Sequence, residues 1–200
     1  MTNKENMLAG KLYHVDKEIH KMFKESKQFQ EEFNQTCYKD GVRRGQIIRQ
    51  WFGKVGQNYF VQPPFFCDYG KNIEIDDNFF ANYDCVFLDV CKIKIGRNVV
   101  LSPRVSLITA MHPIDAAVRN TTYQLGAPIT IGNDVWIGTG VIVNPGVTIG
   151  NNIVIGTGSV VTTDLESNAI YEGNPAKKVR DITEEDKKYW TERLQNEVVD

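Results

Sequence analysis

Ile131, Ile137, Val143, Ile149, Ile155 and Val161 follow one another at intervals of six residues, and every one of them is aliphatic. Four residues after the first five stand Val135, Val141, Val147, Ile153 and Ser159, again small or β-branched, while Gly132, Gly138, Gly150 and Gly156 directly follow their aliphatic partners. A helix turns about 100° per residue, so a strict spacing of six would scatter these side chains around its surface; the pattern disfavours a helix. β-Branched residues suit a pleated strand, and recurrent glycine suits corners where the backbone turns sharply or approaches a neighbour. Short strands joined by tight turns and stacked coil on coil predict an all-β parallel solenoid.

The same period runs upstream through Ile75, Ala81 and Phe87, and again through Ile95, Leu101 and Leu107, with a two-residue slip in CKIKIG that preserves side-chain alternation,. It stops between Thr109 and Pro128, so TAMHPIDAAVRNTTYQLGAP must leave the stack as a long loop, and loops of that length in compact domains are usually functional,. Phe23, Phe29 and Phe33 have helical spacing, which predicts a helical cap on an open end of the solenoid,. Thr183 with Asp186 resembles a capping box and opens a terminal helix carrying Tyr189, Trp190 and Leu194,. The expected organisation is therefore a cap over 1–55, a repeat domain over 56–182 with its loop at 110–128, and a C-terminal helix over 183–200.

Composition narrows the functional classes. A formal net charge of -2 provides no global field for nucleic acid or an anionic membrane, so an anionic ligand must meet a local cationic patch,. The opening residues are polar and amphipathic without the apolar stretch of a secretory signal, and no apolar run is long enough to span a bilayer, which predicts a cytoplasmic protein,. Cys37, Cys67, Cys85 and Cys91 form no C-x-x-C pair and the chain has 3 histidines, so no metal site of usual spacing is encoded,. The cysteines read as reduced thiols packed as small hydrophobes.

His112 stands where the repeat breaks, in ITAMHP, and is the one histidine outside the amino-terminal region. On the residues alone it reads equally as a loop-capping histidine or as a base. The glycines of VWIGTG read as solenoid corners or as main chain that a ligand can approach. Asp68, Asn82 and Asp89 read as turn residues or as polar contacts, Trp136 as interface packing or a cleft wall, and KKVR as a solvated basic run or a phosphate site.

The repeat, together with ITAMHP, VWIGTGVIVNPGVTIG, VIGTGSVVT, EGNPAKKVR, the opening MLAGKLY and PPFFCDYG, resembles the maltose and galactoside O-acetyltransferase branch of the hexapeptide-repeat acetyltransferases. The resemblance covers nearly the whole chain. It implies a left-handed parallel β-helix with an N-terminal helical cap, a protruding loop and a C-terminal helix, assembled as a homotrimer with sites between subunits. It further implies transfer of acetyl from acetyl-CoA, used as a co-substrate without metal, to a sugar hydroxyl. His112 matches the general base; Asp68, Asn82 and Asp89, with Tyr83 and Trp136, match acceptor-binding positions. Gly138, Thr139 and Gly140 match the turn facing the oxyanion, and Thr139, Thr157, Thr162, Thr163, Lys177 and Arg180 match CoA contacts.

Two positions depart from the pattern. Asp16 is shifted relative to some relatives, and Gln124 stands where many carry Glu. The alternatives that the sequence leaves open are an antibiotic hydroxyl or amine as acceptor, a covalent acetyl-cysteine route, and a non-catalytic binding solenoid. A β-helical carbonic anhydrase would need a histidine cluster that the chain lacks.

Overall fold

A computed structural model describes residues 1–198 of the 200-residue chain. Three helices come first: α1 (Asn3–Leu8), α2 (Lys17–Asn34) and α3 (Gly41–Trp51). The Asp16 carboxylate caps α2 by accepting the Ile19 N–H at 3.0 Å, which gives that residue a local role,. Short strands follow: β1 (Lys54–Val55), β2 (Phe60–Val61), β3 (Phe65–Cys67), β4 (Ile73–Ile75), β5 (Phe80–Ala81), β6 (Cys85–Leu88), β7 (Ile93–Ile95), β8 (Val100–Leu101) and β9 (Ser106–Ile108). The interrupting segment holds β10 (Ala110–Met111), α4 (Ala116–Arg119) and β11 (Leu125–Gly126). The stack resumes with β12 (Ile129–Ile131), β13 (Val135–Ile137), β14 (Ile142–Val143), β15 (Thr148–Ile149), β16 (Ile153–Ile155) and β17 (Val160–Val161), and the chain ends with β18 (Ala169–Glu172), β19 (Lys177–Asp181) and α5 (Glu184–Glu197).

The strands stack into three faces, parallel except for the terminal β19, so the chain is a β-helix. The first face is ordered β1-β4-β7-β12-β15, the second β19-β18-β16-β13-β8-β5-β2, and the third β17-β14-β9-β6-β3. The six aliphatic residues of the repeat are all buried, in line with Ile75, Ala81, Phe87, Ile95, Leu101 and Leu107 of the lower coils. Truncating one buried isoleucine of such a column costs about 2–5 kcal/mol, because a packed stack relaxes poorly around a cavity.

Each corner has its own chemistry. Between the first and second faces run Asn58, Asn78, Asn98, Asp134, Asn152 and Asn168, all at positive φ. Their carboxamides donate up the column, Asn78 to Asn98 at 2.8 Å and Asn98 to the Asp134 carboxylate at 2.7 Å. Asparagine and aspartate tolerate the left-handed conformation, and the ladder satisfies their polar atoms.

The amino-terminal helices do two separate things. Phe33 of α2 and Ile47, Ile48 and Trp51 of α3 belong to the main core and close the open end of the stack, as the helical spacing predicted. Met7, Tyr13 and Ile19 instead form a second cluster with Tyr69, Val90 and Cys91, on the flank of the stack. The interrupting segment is more ordered than a plain loop. β10 and β11 pair antiparallel, and the Asp115 carboxylate caps α4 through the Val118 N–H at 2.9 Å.

After β18 the chain reverses, β19 pairs antiparallel with it, and α5 opens with the Asp186 carboxylate accepting the Thr183 N–H at 2.9 Å. Tyr189, Trp190 and Leu194 on α5 are exposed. Positions 199 and 200 of the expected terminal segment lie outside the described residues. Cys67, Cys85 and Cys91 are buried and unbridged, whereas Cys37, in the link between α2 and α3, is exposed and not packed as expected.

Candidate active site

Most of the sequence-predicted site residues fall on two corners of the β-helix; Trp136 lies on β13, His112 on the β10–β11 hairpin, and Lys177 and Arg180 on β19. Asn82, Ser102, Gly138 and Gly156 form one column between the second and third faces, each amide bonding the carbonyl that ends the next strand, as in Asn82 N–H to Leu101 O at 3.0 Å and Gly138 N–H to Ile155 O at 2.9 Å. Tyr83, Thr139 and Thr157 stand next in that column, followed by Asp84, Arg104, Gly140 and Gly158, all four at positive φ. An ideal Cβ at Gly140 or Gly158 would meet no atom within 4 Å. Bare main chain at the two upper coils therefore faces open space, while the coils below carry Asp84 and Arg104, 4.0 Å apart.

The N–H groups of Gly138 and Gly140 are already committed, to Ile155 O and Pro103 O, both at 2.9 Å. The amide of Thr139 between them is the one that the ladder does not use. Trp136 lies half exposed on the outer second face beside this corner, and its indole N–H donates to Ser102 Oγ at 3.1 Å. Ser102 was not singled out in the sequence; its place in the same column as Asn82 was the available signal.

The other corner, between the third and first faces, carries Asp68, Asp89, Thr162 and Thr163, and from it the β10–β11 hairpin departs. Asp89 is fully buried. Its Oδ1 accepts the N–H groups of Asp68 and Tyr69, both at 2.9 Å, and its Oδ2 has no protein partner. Burial pushes its carboxyl up to about 7, against the pull of the Tyr69 amide,. Asp89 therefore frames the corner through its Oδ1, with its Oδ2 left unpartnered in the protein. Asp68 is partly buried, and burial also raises its carboxyl, opposed by the Lys27 ammonium. The Asp16 carboxylate, spent on capping α2 and on the Asn3 carboxamide at 3.1 Å, is held below its ordinary range by those bonds.

His112 follows the last residue of β10 and is exposed. The third face lies between its hairpin and the Asn82–Thr139–Thr157 corner of the same chain, so one copy of the chain does not bring the imidazole onto that corner. At the top of the same corner, Gly173 N–H donates to Ser159 Oγ at 3.1 Å and the chain turns into β19, where Lys177 pairs in register with Glu172. Lys177 is exposed, without an ion pair among the described residues. Arg180 behaves otherwise: it is tied to Asp186, and Lys178 to Asp181 at 2.5 Å. Cys67, Cys85 and Cys91 are buried and lie on strands or under the cap, with thiols raised by burial, so none is placed as an acetyl carrier,.

Residues 6–56 match the maltose acetyltransferase hexapeptide capping motif and residues 128–163 the bacterial transferase hexapeptide model of six repeats. A putative acetyltransferase of Saccharomyces cerevisiae is 45% identical over 91% of this chain and 94% of its own. The chain belongs to the maltose and galactoside O-acetyltransferase branch of the hexapeptide-repeat acetyltransferases. Among solved structures, a maltose O-acetyltransferase from Clostridium difficile 630 is 50% identical, with a TM-score of 0.91 over 92% of this chain and 98% of that one. A galactoside acetyltransferase in complex with coenzyme A is 39% identical, with a TM-score of 0.90 over 94% of both chains. Among the described residues of this family member, no helix is long and apolar enough to cross a membrane, and no group of His, Cys, Asp and Glu is placed to hold a metal ion.

Proposed function

We propose that the chain moves an acetyl group from acetyl-CoA to a sugar hydroxyl by direct transfer, with His112 as general base. The observation that carries this reading is the exposed imidazole on a hairpin that projects from a hexapeptide β-helix. A neutral imidazole takes the proton of the attacking hydroxyl as its oxygen bonds to the thioester carbonyl carbon. The tetrahedral oxyanion needs a donor where its charge appears, and the Thr139 amide is free for that purpose. Collapse breaks the C–S bond, and the imidazolium returns its proton to the departing thiolate.

The fit to acetyl-CoA rests on the open corner. Main chain at Gly140 and Gly158 leaves room for an extended pantetheine arm, Thr139 and Thr157 border it, and the unpaired Lys177 ammonium at its upper end suits phosphate,. Thr162 and Thr163 lie across the third face, where they would meet the cofactor held by another subunit. Asp68, Asn82, Tyr83 and Trp136 remain candidates for the acceptor pocket. Because His112 and the glycine corner flank opposite edges of the third face, a complete site needs a second copy. Apolar rows on the outer second face, Phe60, Phe80, Val100 and Trp136 in register, support a homotrimer, whereas the outer first face carries Lys54, Glu74 and Lys94. A cytoplasmic location accords with acetyl-CoA as donor.

The test is thiol release from acetyl-CoA across a panel of maltose, glucose, a β-galactoside, amines and hydroxylated antibiotics. Turnover with at least one sugar and none with amines is expected; transfer confined to amines would overturn the reading.

A further inference from the structure

The hairpin bearing His112 does not stand alone. Tyr13 bridges Gln124 antiparallel, its N–H donating to Gln124 O and its carbonyl accepting the Gln124 N–H, both at 2.9 Å. The fully buried phenol also donates to Gln124 Oε1 at 3.3 Å. β11 thus has β10 on one edge and Tyr13 on the other. Ala110 pairs with Gly126 and Met111 with Leu125, and His112 and Gln124 are the residues that flank the last of these pairs. Tyr13 thus meets Gln124, 111 residues away in the chain, at the end of the hairpin ladder from which His112 continues.

Main chain packs against main chain at the root of this ladder. A Cβ on Gly10, whose φ is +71°, would lie 2.7 Å from Gly126 O. A Cβ on Gly126 would lie 2.7 Å from Cys91 Sγ and 2.8 Å from Thr109 O. The Cys91 thiol donates to Met7 O at 3.1 Å, and its N–H donates to Thr109 Oγ1 at 3.0 Å. Beyond the ladder, from Ile114 to Tyr123, the hairpin is exposed and is braced from within by Arg119, which donates to the Pro113 and Ile114 carbonyls at 3.0 and 2.8 Å.

We infer that the segment Met7–Tyr13 is a positioning element for His112, holding the β10–β11 hairpin by the Tyr13–Gln124 bridge and the Gly10–Gly126 contact. This rests on His112 being the base. A base must sit within hydrogen-bond reach of the hydroxyl, and a misplacement of about 1 Å can cost roughly 10²-fold in rate. Phe33 of α2 and the buried face of α3 close the stack, while Ile19 near the start of α2 packs in one cluster with Met7 and Tyr13, so the cap serves both as an end plug and as a loop clamp.

The experiment uses the full chain with Gly10→Ala, whose Cβ forces the segment off β11, and Tyr13→Phe, which removes only the phenolic bond. Hydrogen exchange at the Gln124 amide is read beside kcat and the acetyl-CoA KM, with the best sugar from the panel of maltose, glucose and a β-galactoside. Expected for Gly10→Ala are faster exchange at Gln124, unchanged exchange at Ile137 in the core, kcat lower by about tenfold or more, and an unaltered acetyl-CoA KM. Full kcat with a loosened Gln124, or exchange at Gln124 that does not change, overturns the inference. Should Gly10→Ala fail to fold, Tyr13→Phe decides by the same readouts, with a several-fold loss of kcat expected. His112→Ala is run in parallel: full turnover there sinks the base assignment itself, whereas a loosened hairpin with full kcat sinks only the clamp.

Discussion

Arg180 grips Asp186 with two parallel guanidinium–carboxylate bonds of 2.6 and 2.8 Å, and the same carboxylate accepts the Thr183 N–H at the start of α5. That fork holds the Asp186 carboxyl down at about 2,. The cation nearest in sequence, Lys178, is likewise paired, so of the basic residues in EGNPAKKVR Lys177 is the one without an ion pair among the described residues, and the proposed phosphate contact falls to it.

Lys177→Ala is expected to raise the acetyl-CoA KM several-fold and to flatten its salt dependence, since a surface ammonium meeting phosphate is screened by ions. Arg180→Ala should leave that KM nearly unchanged and instead loosen α5, read as faster amide exchange along Glu184–Glu197. Equal effects of the two variants on KM would show that the Arg180–Asp186 pair opens for the ligand.

His112→Ala should lower kcat by about 10²- to 10⁴-fold, the usual contribution of a positioned general base. Binding of CoA, followed by calorimetry, is expected to persist. Near-normal turnover would return His112 to the role of a loop cap.

Gly158→Asn probes the open corner. Asparagine tolerates the left-handed conformation that Gly158 adopts at φ +73°, and Asp84 and Arg104 already adopt it lower in the column,. The fold should therefore survive with a small change in unfolding midpoint, while the new side chain fills the space beside the main chain and raises the acetyl-CoA KM. An unchanged KM would place the donor somewhere other than this corner.

Asp89→Asn tests the buried carboxyl. Its folded pKa, about 7, lies above the ordinary carboxylate value, so the native state binds the proton more tightly than the unfolded chain. Its contribution to stability is complete at low pH and is lost as pH rises from about 4 toward 7. Asparagine keeps an oxygen for the Asp68 and Tyr69 amides and carries no charge. Relative to the natural chain, the variant should gain several degrees in unfolding midpoint between pH 5 and pH 8, measured by scanning calorimetry; a difference independent of pH would show that Asp89 stays ionised throughout.

The solenoid was legible because its signal is one-dimensional: Ile131 to Val161 repeat at a period that no helix satisfies, and the structure buries each of them. The terminal helices were legible from Phe33 and from Thr183 with Asp186. The division of the site was not, since Asn82 and Asp89 are seven residues apart yet turn at opposite edges of the third face. A repeat also says which side chains point inward, but not that the Asp89 backbone turn swallows its carboxylate, or that Arg180 finds Asp186. Tyr13 was visible only as part of an opening motif, because its partner Gln124 is distant in sequence.

Parallel strands in adjacent turns are spaced about 4.8 Å apart. The hairpin leaves the stack after β9, and the Gly138–Gly140 turn belongs to the very next turn of the helix. Inserting or deleting one rung between these two points would slide imidazole and glycine past each other along the long axis by more than a hydrogen bond can span. On the proposed mechanism, the number of rungs between the His112 hairpin and the Gly138–Gly140 turn is therefore the length that this molecule holds fixed over evolution.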